Sequence, residues 1–304
     1  MQRDIGGWIE RMHRAPCRSS YSGTFVVLAS SGAMASSRIS HVCDGGRQME
    51  RVEALTGTPR TIFRRDDEVR TFLHQSKIVR SDVRNASGLF PQLPEIQGTA
   101  LSRFYTARQL GQERVAGHLA DVVWFQPLDA LRFGYRLWSE RETGLVVKLQ
   151  TMDADGRVLE QVAFSELELG APVRMDQLER MMDATVGYQV AASTVLKTTA
   201  KSEGWTLRQP IPGFVPLNCY RRSMSAVAGP DGVLQCIYSD GLATVSLFIQ
   251  PFDPQSHTVG AQVSGMGATQ MLTRRLADGA WLTAVGEVPM QTLKLFASQL
   301  ERAR

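Results

Sequence analysis

Short alternating apolar and polar runs, closed by small polar turns, recur along most of this chain and commit it to a mainly β architecture. Residues 21–28 are rich in β-branched and aromatic side chains, Ser30-Ser31-Gly32 turns the chain, and residues 38–42 return, which is a hairpin signal. The alternation continues at 47–55, 60–64, 69–73 and 77–83, with Asp44-Gly45-Gly46 and Asp66-Asp67 between runs. Leu89-Phe90-Pro91-Gln92-Leu93-Pro94 breaks the pattern, because proline removes a backbone donor and restricts its predecessor. The spacing of Leu101, Phe104, Tyr105, Ala107 and Arg108 predicts a short helix or lid over 101–110. Strands are then expected at 112–115, 120–126, 133–139, 145–152 and 159–167. About ten strands with few helices call for one large antiparallel sheet. Such a sheet must close or hide its apolar face and edges. Phe25, Trp124, Tyr135, Leu137, Val147 and Phe164 are its large inward candidates, and a half-closed sheet would leave an apolar hollow between them.

At 304 residues the chain is long enough for two domains. The composition changes near Gly170, where residues 175–182 have amphipathic helical spacing and 190–202 read as a linker or crossing strand. A second set of strands starts at Trp205 and ends in a helix predicted over 289–303, with Leu293, Phe296, Ala297 and Leu300 on one face. The expected organisation is therefore a large sheet domain over 1–170, a linker over 171–204 and a smaller α+β domain over 205–304.

The net charge is +4, divided evenly on either side of Gly170, so no basic half points to nucleic acid. No run approaches the length of a membrane-spanning helix. The opening Met1-Gln2-Arg3-Asp4-Ile5 lacks the apolar centre of a secretion signal, which leaves a cytosolic chain or one whose leader has been removed. Cys17, Cys43, Cys219 and Cys236 form no CxxC pattern and have no nearby histidine, so no metal centre is expected. Cys219 and Cys236 fall in two strand-like runs of one hairpin and are the favoured disulfide; buried thiols remain the alternative, and Cys17–Cys43 is the weaker pair. The five histidines are scattered, and Asp153-Ala154-Asp155-Gly156 lacks the later glutamate of a calcium loop. There is no phosphate-binding loop and no nucleophile elbow, so neither a cofactor nor catalysis is expected.

The runs Tyr21-Ser22-Gly23-Thr24-Phe25, Gly134-Tyr135-Arg136-Leu137-Trp138, Glu140-Arg141-Glu142-Thr143-Gly144-Leu145 and Phe164-Ser165-Glu166-Leu167 resemble the amino-terminal domain of the MucB/RseB family. In the same order, Pro212-Gly213-Phe214, Tyr238-Ser239-Asp240-Gly241-Leu242-Ala243, Gly267-Ala268-Thr269 and Val285-Gly286-Glu287-Val288-Pro289 resemble its carboxy-terminal domain. The resemblance implies a periplasmic regulator of sigma-E whose leader has been removed. Its expected partner is the periplasmic part of an RseA/MucA-type anti-sigma factor, which it would shield from proteolysis. It also implies a LolA-like half-closed barrel that senses lipopolysaccharide or lipoprotein acyl chains and releases the anti-sigma factor on binding them.

On that reading Phe25, Val27, Phe104, Trp124, Tyr135, Leu137 and Phe164 are the candidate lipid-facing residues, with the Pro91/Pro94 loop and 101–110 as lids. Tyr238, Asp240, Arg274, Arg275 and Trp281 mix aromatic and charged groups in the manner of contact anchors. A strand edge in the smaller domain would also suit an extended peptide. A lipid or lipoprotein carrier of LolA type is the competing reading, and self-association through sheet edges is left open.

Overall fold

The computed structural model describes residues 3–66, 68–83, 90, 101–192, 194–223, 232–257 and 260–303. The chain opens with α1 (Ile5–Arg14), capped by the Asp4 carboxylate, which accepts the Gly7 N–H at 2.8 Å. Ile5, Trp8, Ile9 and Met12 recur at helical spacing and form its buried face. A single turn over Ala15–Cys17 follows. The first meander is β1 (Tyr21–Ala29), β2 (Met34–Asp44), β3 (Arg47–Ala54), β4 (Arg60–Arg65), β5 (Glu68–Leu73) and β6 (Ile78–Val83). The second is β7 (Tyr105–Val115), β8 (His118–Pro127), β9 (Gly134–Glu140), β10 (Val146–Met152) and β11 (Val158–Leu169). Antiparallel pairing of β1 with β11 joins the two meanders into one sheet.

After α2 (Met175–Asp183), strand β12 (Gln189–Ala192) adds to β6 in parallel and completes twelve strands. The order runs from β12 at one edge to β7 at the other, so the sheet curves without closing. The expected mainly β, half-closed architecture is thus the one observed. Leu178 and Met182 of α2 pack on Val42, Met49, Phe63, Phe72 and Val79, covering the first meander.

The smaller lobe holds β13 (Thr194–Thr198), β14 (Trp205–Leu207), β15 (Val215–Ser223), β16 (Val233–Ser239), β17 (Thr244–Pro251), β18 (Gln262–Met266), β19 (Thr269–Arg275), β20 (Ala280–Gly286), α3 (Met290–Gln299) and β21 (Leu300–Arg302). Seven of these strands form an antiparallel sheet ordered β13-β15-β16-β17-β20-β19-β18, and β14 pairs with β21 apart from it. Phe296, Leu293 and Ala297 of α3 close the face formed by Leu234, Val245, Leu247, Leu282 and Ala284. Residues 171–204, read as a linker, contain α2, β12 and β13, and the last two each extend a different sheet.

Three local expectations change. Residues 101–110 form a single helical turn over Leu101–Arg103 and then enter β7, whose ladder with β8 runs from Tyr105 to Val115. Their apolar spacing fits both a helix and an alternating strand, and ten pairs with β8 decide it. The last helix stops at Gln299, because Leu300–Arg302 pairs with β14. Cys17–Cys43 forms a disulfide as Cys219–Cys236 does, with Cα atoms 5.0 and 4.1 Å apart. The Pro91/Pro94 loop lies outside the described residues.

Candidate functional site

Strand register builds the concave face of the large sheet. One row across five strands is Val27, Val162, Leu149, Leu137 and Val123; the next is Ala29, Glu160, Thr151, Tyr135 and Phe125. Side chains of one strand face alternate with period two, so both rows point the same way. The apolar face of α1 lies on them, burying Trp8 and Met12 against Leu137, Tyr135, Val123 and Phe125. Between this plug and the small lobe remains a cavity of about 150 Å³, lined by Phe25, Val27, Phe90, Leu149, Thr151, Glu160, Val162 and Glu287.

Most of the candidate lipid-facing residues meet here. Phe25 and Val27 line the cavity, and Phe164 packs on Phe25 and Phe90 with ring centroids 6.2 and 5.2 Å apart. A bulge between Thr24 and Phe25 interrupts the β1–β11 register just where Phe25 pairs with Phe164. Tyr135 and Leu137 lie in the same two rows, wholly buried beneath α1. Trp124 is not brought to the cavity. Its row is Leu28, Gln161, Gln150 and Arg136, the opposite face of the sheet, where its ring covers Gly134 so closely that a Cβ there would collide with it. Phe104 sits at the seam between the lobes instead, its ring 4.3 Å from the Arg132 guanidinium.

That seam contains a buried charge pair. Arg132 Nε donates to Asp240 Oδ2 at 2.6 Å, and neither side chain is exposed. Arg132 also donates to the Pro212 carbonyl at 2.6 Å and to Asp129, and its guanidinium lies 4.9 Å from the Phe214 ring centroid. Gly213, at φ +80°, keeps the approach open, since a Cβ there would strike Arg132 and Phe104. Asp240 accepts the Tyr105 hydroxyl at 3.1 Å and the N–H groups of Leu242 and Ala243 at 2.9 and 2.8 Å. Burial pushes the Asp240 carboxyl up, while Arg132 and these donors pull against that. Burial, reinforced by Asp240, likewise holds the Tyr105 phenol well above its ordinary range. The turn that positions Asp240 places Leu242 into the apolar core of the large sheet, 4% exposed.

The contact candidates of the small lobe divide accordingly. Asp240 serves the internal seam, because its charge is spent on Arg132. Tyr238 is buried against Phe296, with centroids 5.1 Å apart, and Trp281 is buried and stacked on His257 at 4.6 Å. Arg275 is exposed over the Phe252 ring at 4.3 Å, and Arg274 is its half-buried neighbour on β19. Next to β19 lies the edge strand β18, exposed at all five positions. Among the described residues, no helix is long and apolar enough to cross a membrane and no acidic, histidine or cysteine cluster could hold a metal ion.

The residues missed in the sequence are Arg132, Leu242, Glu160 and Glu287. Glu287 did carry a local signal: it is a lone charge in the apolar run Val285-Gly286-Glu287-Val288-Pro289.

Residues 4–182 match the model of the MucB/RseB N-terminal domain, and residues 199–301 that of the MucB/RseB C-terminal domain. The sigma factor AlgU regulatory protein MucB of Pseudomonas aeruginosa is 30% identical, over 97% of this chain and 90% of that protein. The sigma-E factor regulatory protein RseB of Escherichia coli K12 is 25% identical over the same shares, 97% and 90%. A solved complex of Pseudomonas aeruginosa MucA and MucB superposes with a TM-score of 0.76 at 29% identity, covering 99% of each chain.

Proposed function

The chain belongs to the MucB/RseB family, and we propose that it acts in the periplasm as a negative regulator of a sigma-E envelope-stress response. It is a regulatory protein, not an enzyme. In this reading it binds the periplasmic part of a membrane anti-sigma factor of the RseA/MucA type and shields it from proteolysis. The likeness over both lobes to MucB solved with MucA supports the partner. The exposed edge of β18, beside Arg274 and Arg275, offers backbone groups to an extended segment and positive charge to an acidic one.

One observation supports release by lipid: Leu242 of the small lobe occupies the concave face of the large sheet. The remaining space of about 150 Å³ is well below the roughly 300–1,000 Å³ of ordinary ligand pockets. Acyl chains of lipopolysaccharide or lipoprotein would therefore have to displace the small lobe to lie on Phe25, Val27 and Phe164, while Tyr135 and Leu137 stay under α1. Each methylene they bury contributes about 0.8 kcal/mol, so a chain burying about a dozen offsets a lobe contact of several kcal/mol. A lipid that binds only the parted lobes shifts the population toward them, whereas equal affinity for both states would shift nothing.

The test is binding of the purified protein to the periplasmic segment of its anti-sigma factor, with and without lipopolysaccharide. Binding that lipid weakens is expected. Tight acyl binding with no affinity for the anti-sigma segment would replace the regulator with a carrier.

A further inference from the structure

Two carboxylates from different lobes line the same cavity. Glu160, on β11 of the large sheet, accepts the N–H of Ala268, in the turn between β18 and β19 of the small lobe. Gly267 of that turn packs against the same carboxylate. Glu287 follows β20 and enters the cavity among Phe25, Val27, Phe90, Leu149, Thr151 and Val162, all contributed by the large lobe. The pair therefore exists only while the lobes are docked.

The surroundings give a second negative charge little support. Arg132, the buried cation of the seam, is already committed to Asp129, Asp240 and the Pro212 carbonyl. Among the described residues, the charge acting on Glu287 is that of Glu160, facing it from β11. From β9 it faces the Tyr135 phenol, whose ionisation burial and the charges of Asp240 and Glu287 oppose, and from β10 the neutral Thr151.

We propose that Glu160 and Glu287 are a proton-dependent latch: with a proton on the pair the lobes stay docked, and loss of that proton sets two carboxylates against each other in an apolar wall and parts them. The inference rests on the two-lobed geometry and needs neither the anti-sigma factor nor the lipid.

The direction follows from linkage. Burial, with the charge of Glu160 added, lifts Glu287 from an ordinary 4.5 to about 7 in the docked form, and burial raises Glu160 as well. Parting the lobes returns both groups to water and to their ordinary range. The docked form thus holds more protons between those two values. Docking is strongest below pH 4.5, weakens as pH rises through the window, and is weakest above pH 7. A shift of this size lowers the docking constant on the order of a hundredfold across the window.

The experiment is small-angle X-ray scattering of the full chain from pH 5 to 8.5, for the wild type, Glu287→Gln and Glu160→Gln. The wild type is expected to expand as pH rises. Glu287→Gln should stay compact throughout, and Glu160→Gln should expand less, because Glu287 then ionises beside a neutral neighbour. A wild-type radius of gyration that does not change with pH would overturn the latch, as would a Glu287→Gln protein that expands like the wild type. Thermal melts establish that the variants fold. If Glu287→Gln does not, Glu160→Gln decides, and an undiminished response in it counts against the latch. No partner or lipid is present, so the outcome is separate from that of the proposed function.

Discussion

The two lobes solve the same problem, an apolar sheet face that must be hidden, in different ways. The small lobe covers its sheet with its own α3, and apart from Leu131 its core is built from its own residues. The large lobe covers its concave face with α1, with one leucine borrowed from the small lobe, and incompletely, leaving a cavity with carboxylates in its wall. A core finished within one lobe confers stability. A core finished by a neighbour confers stability only while the neighbour stays, so its filling can be exchanged.

This contrast can be broken most sharply at its two buried centres. Phe296→Ala should cost about 3–5 kcal/mol in denaturant unfolding, because the ring is fully buried between Phe214 and Tyr238. Arg132→Ala should cost about 3–5 kcal/mol of lobe docking by leaving Asp240 buried without its counter-charge. Calorimetry would then show the lobes melting as two transitions in place of one. A single unshifted transition would mean that the seam does not depend on the pair.

Smaller effects sharpen the picture. Replacing Cys219 and Cys236 with serine opens a loop 17 residues long and should lower stability by about 3 kcal/mol, followed by thermal unfolding of the small lobe. Phe25→Ala should cost less than Phe296→Ala, about 2 kcal/mol, since its ring already borders empty space. Equal costs for the two phenylalanines would erase the distinction between a ring enclosed on all sides and one that borders a cavity. Asp4→Ala should cost about 1 kcal/mol by removing the cap of α1, measured by the same unfolding experiment.

The strands and their meander order were legible because turn residues punctuate them. Asp44-Gly45-Gly46 and Asp153-Ala154-Asp155-Gly156 sit in tight turns between neighbouring antiparallel strands. Phe25, Tyr135 and Leu137 were named as large inward side chains of the alternating runs, and they lie on the concave face; Val27 was named only through the family resemblance. Trp124 is a lesson in phase: size suggested an inward residue, but its neighbours Val123 and Phe125 own that face, and a one-residue step reverses it. The seam was not legible. Arg132 and Asp240 are 108 residues apart, and only the docking of the two separate sheets brings them within 2.6 Å. The Cys17–Cys43 bridge was read as the weaker of the two pairs for the same reason, since nothing local shows that the turn after α1 lies on β2.

That bridge decides which filling of the concavity can leave. At its C-terminal end α1 runs into a turn covalently stapled to β2, and in its last turn Arg11 donates to the carbonyls of Glu140 and Arg141. The helix is a captive stopper, fastened to the vessel it closes. Leu242 belongs to a lid held by non-covalent contacts. On the proposed reading a guest entering the hollow would have to lift the lid, and the movement that makes room for it would be the same movement that separates the lobes.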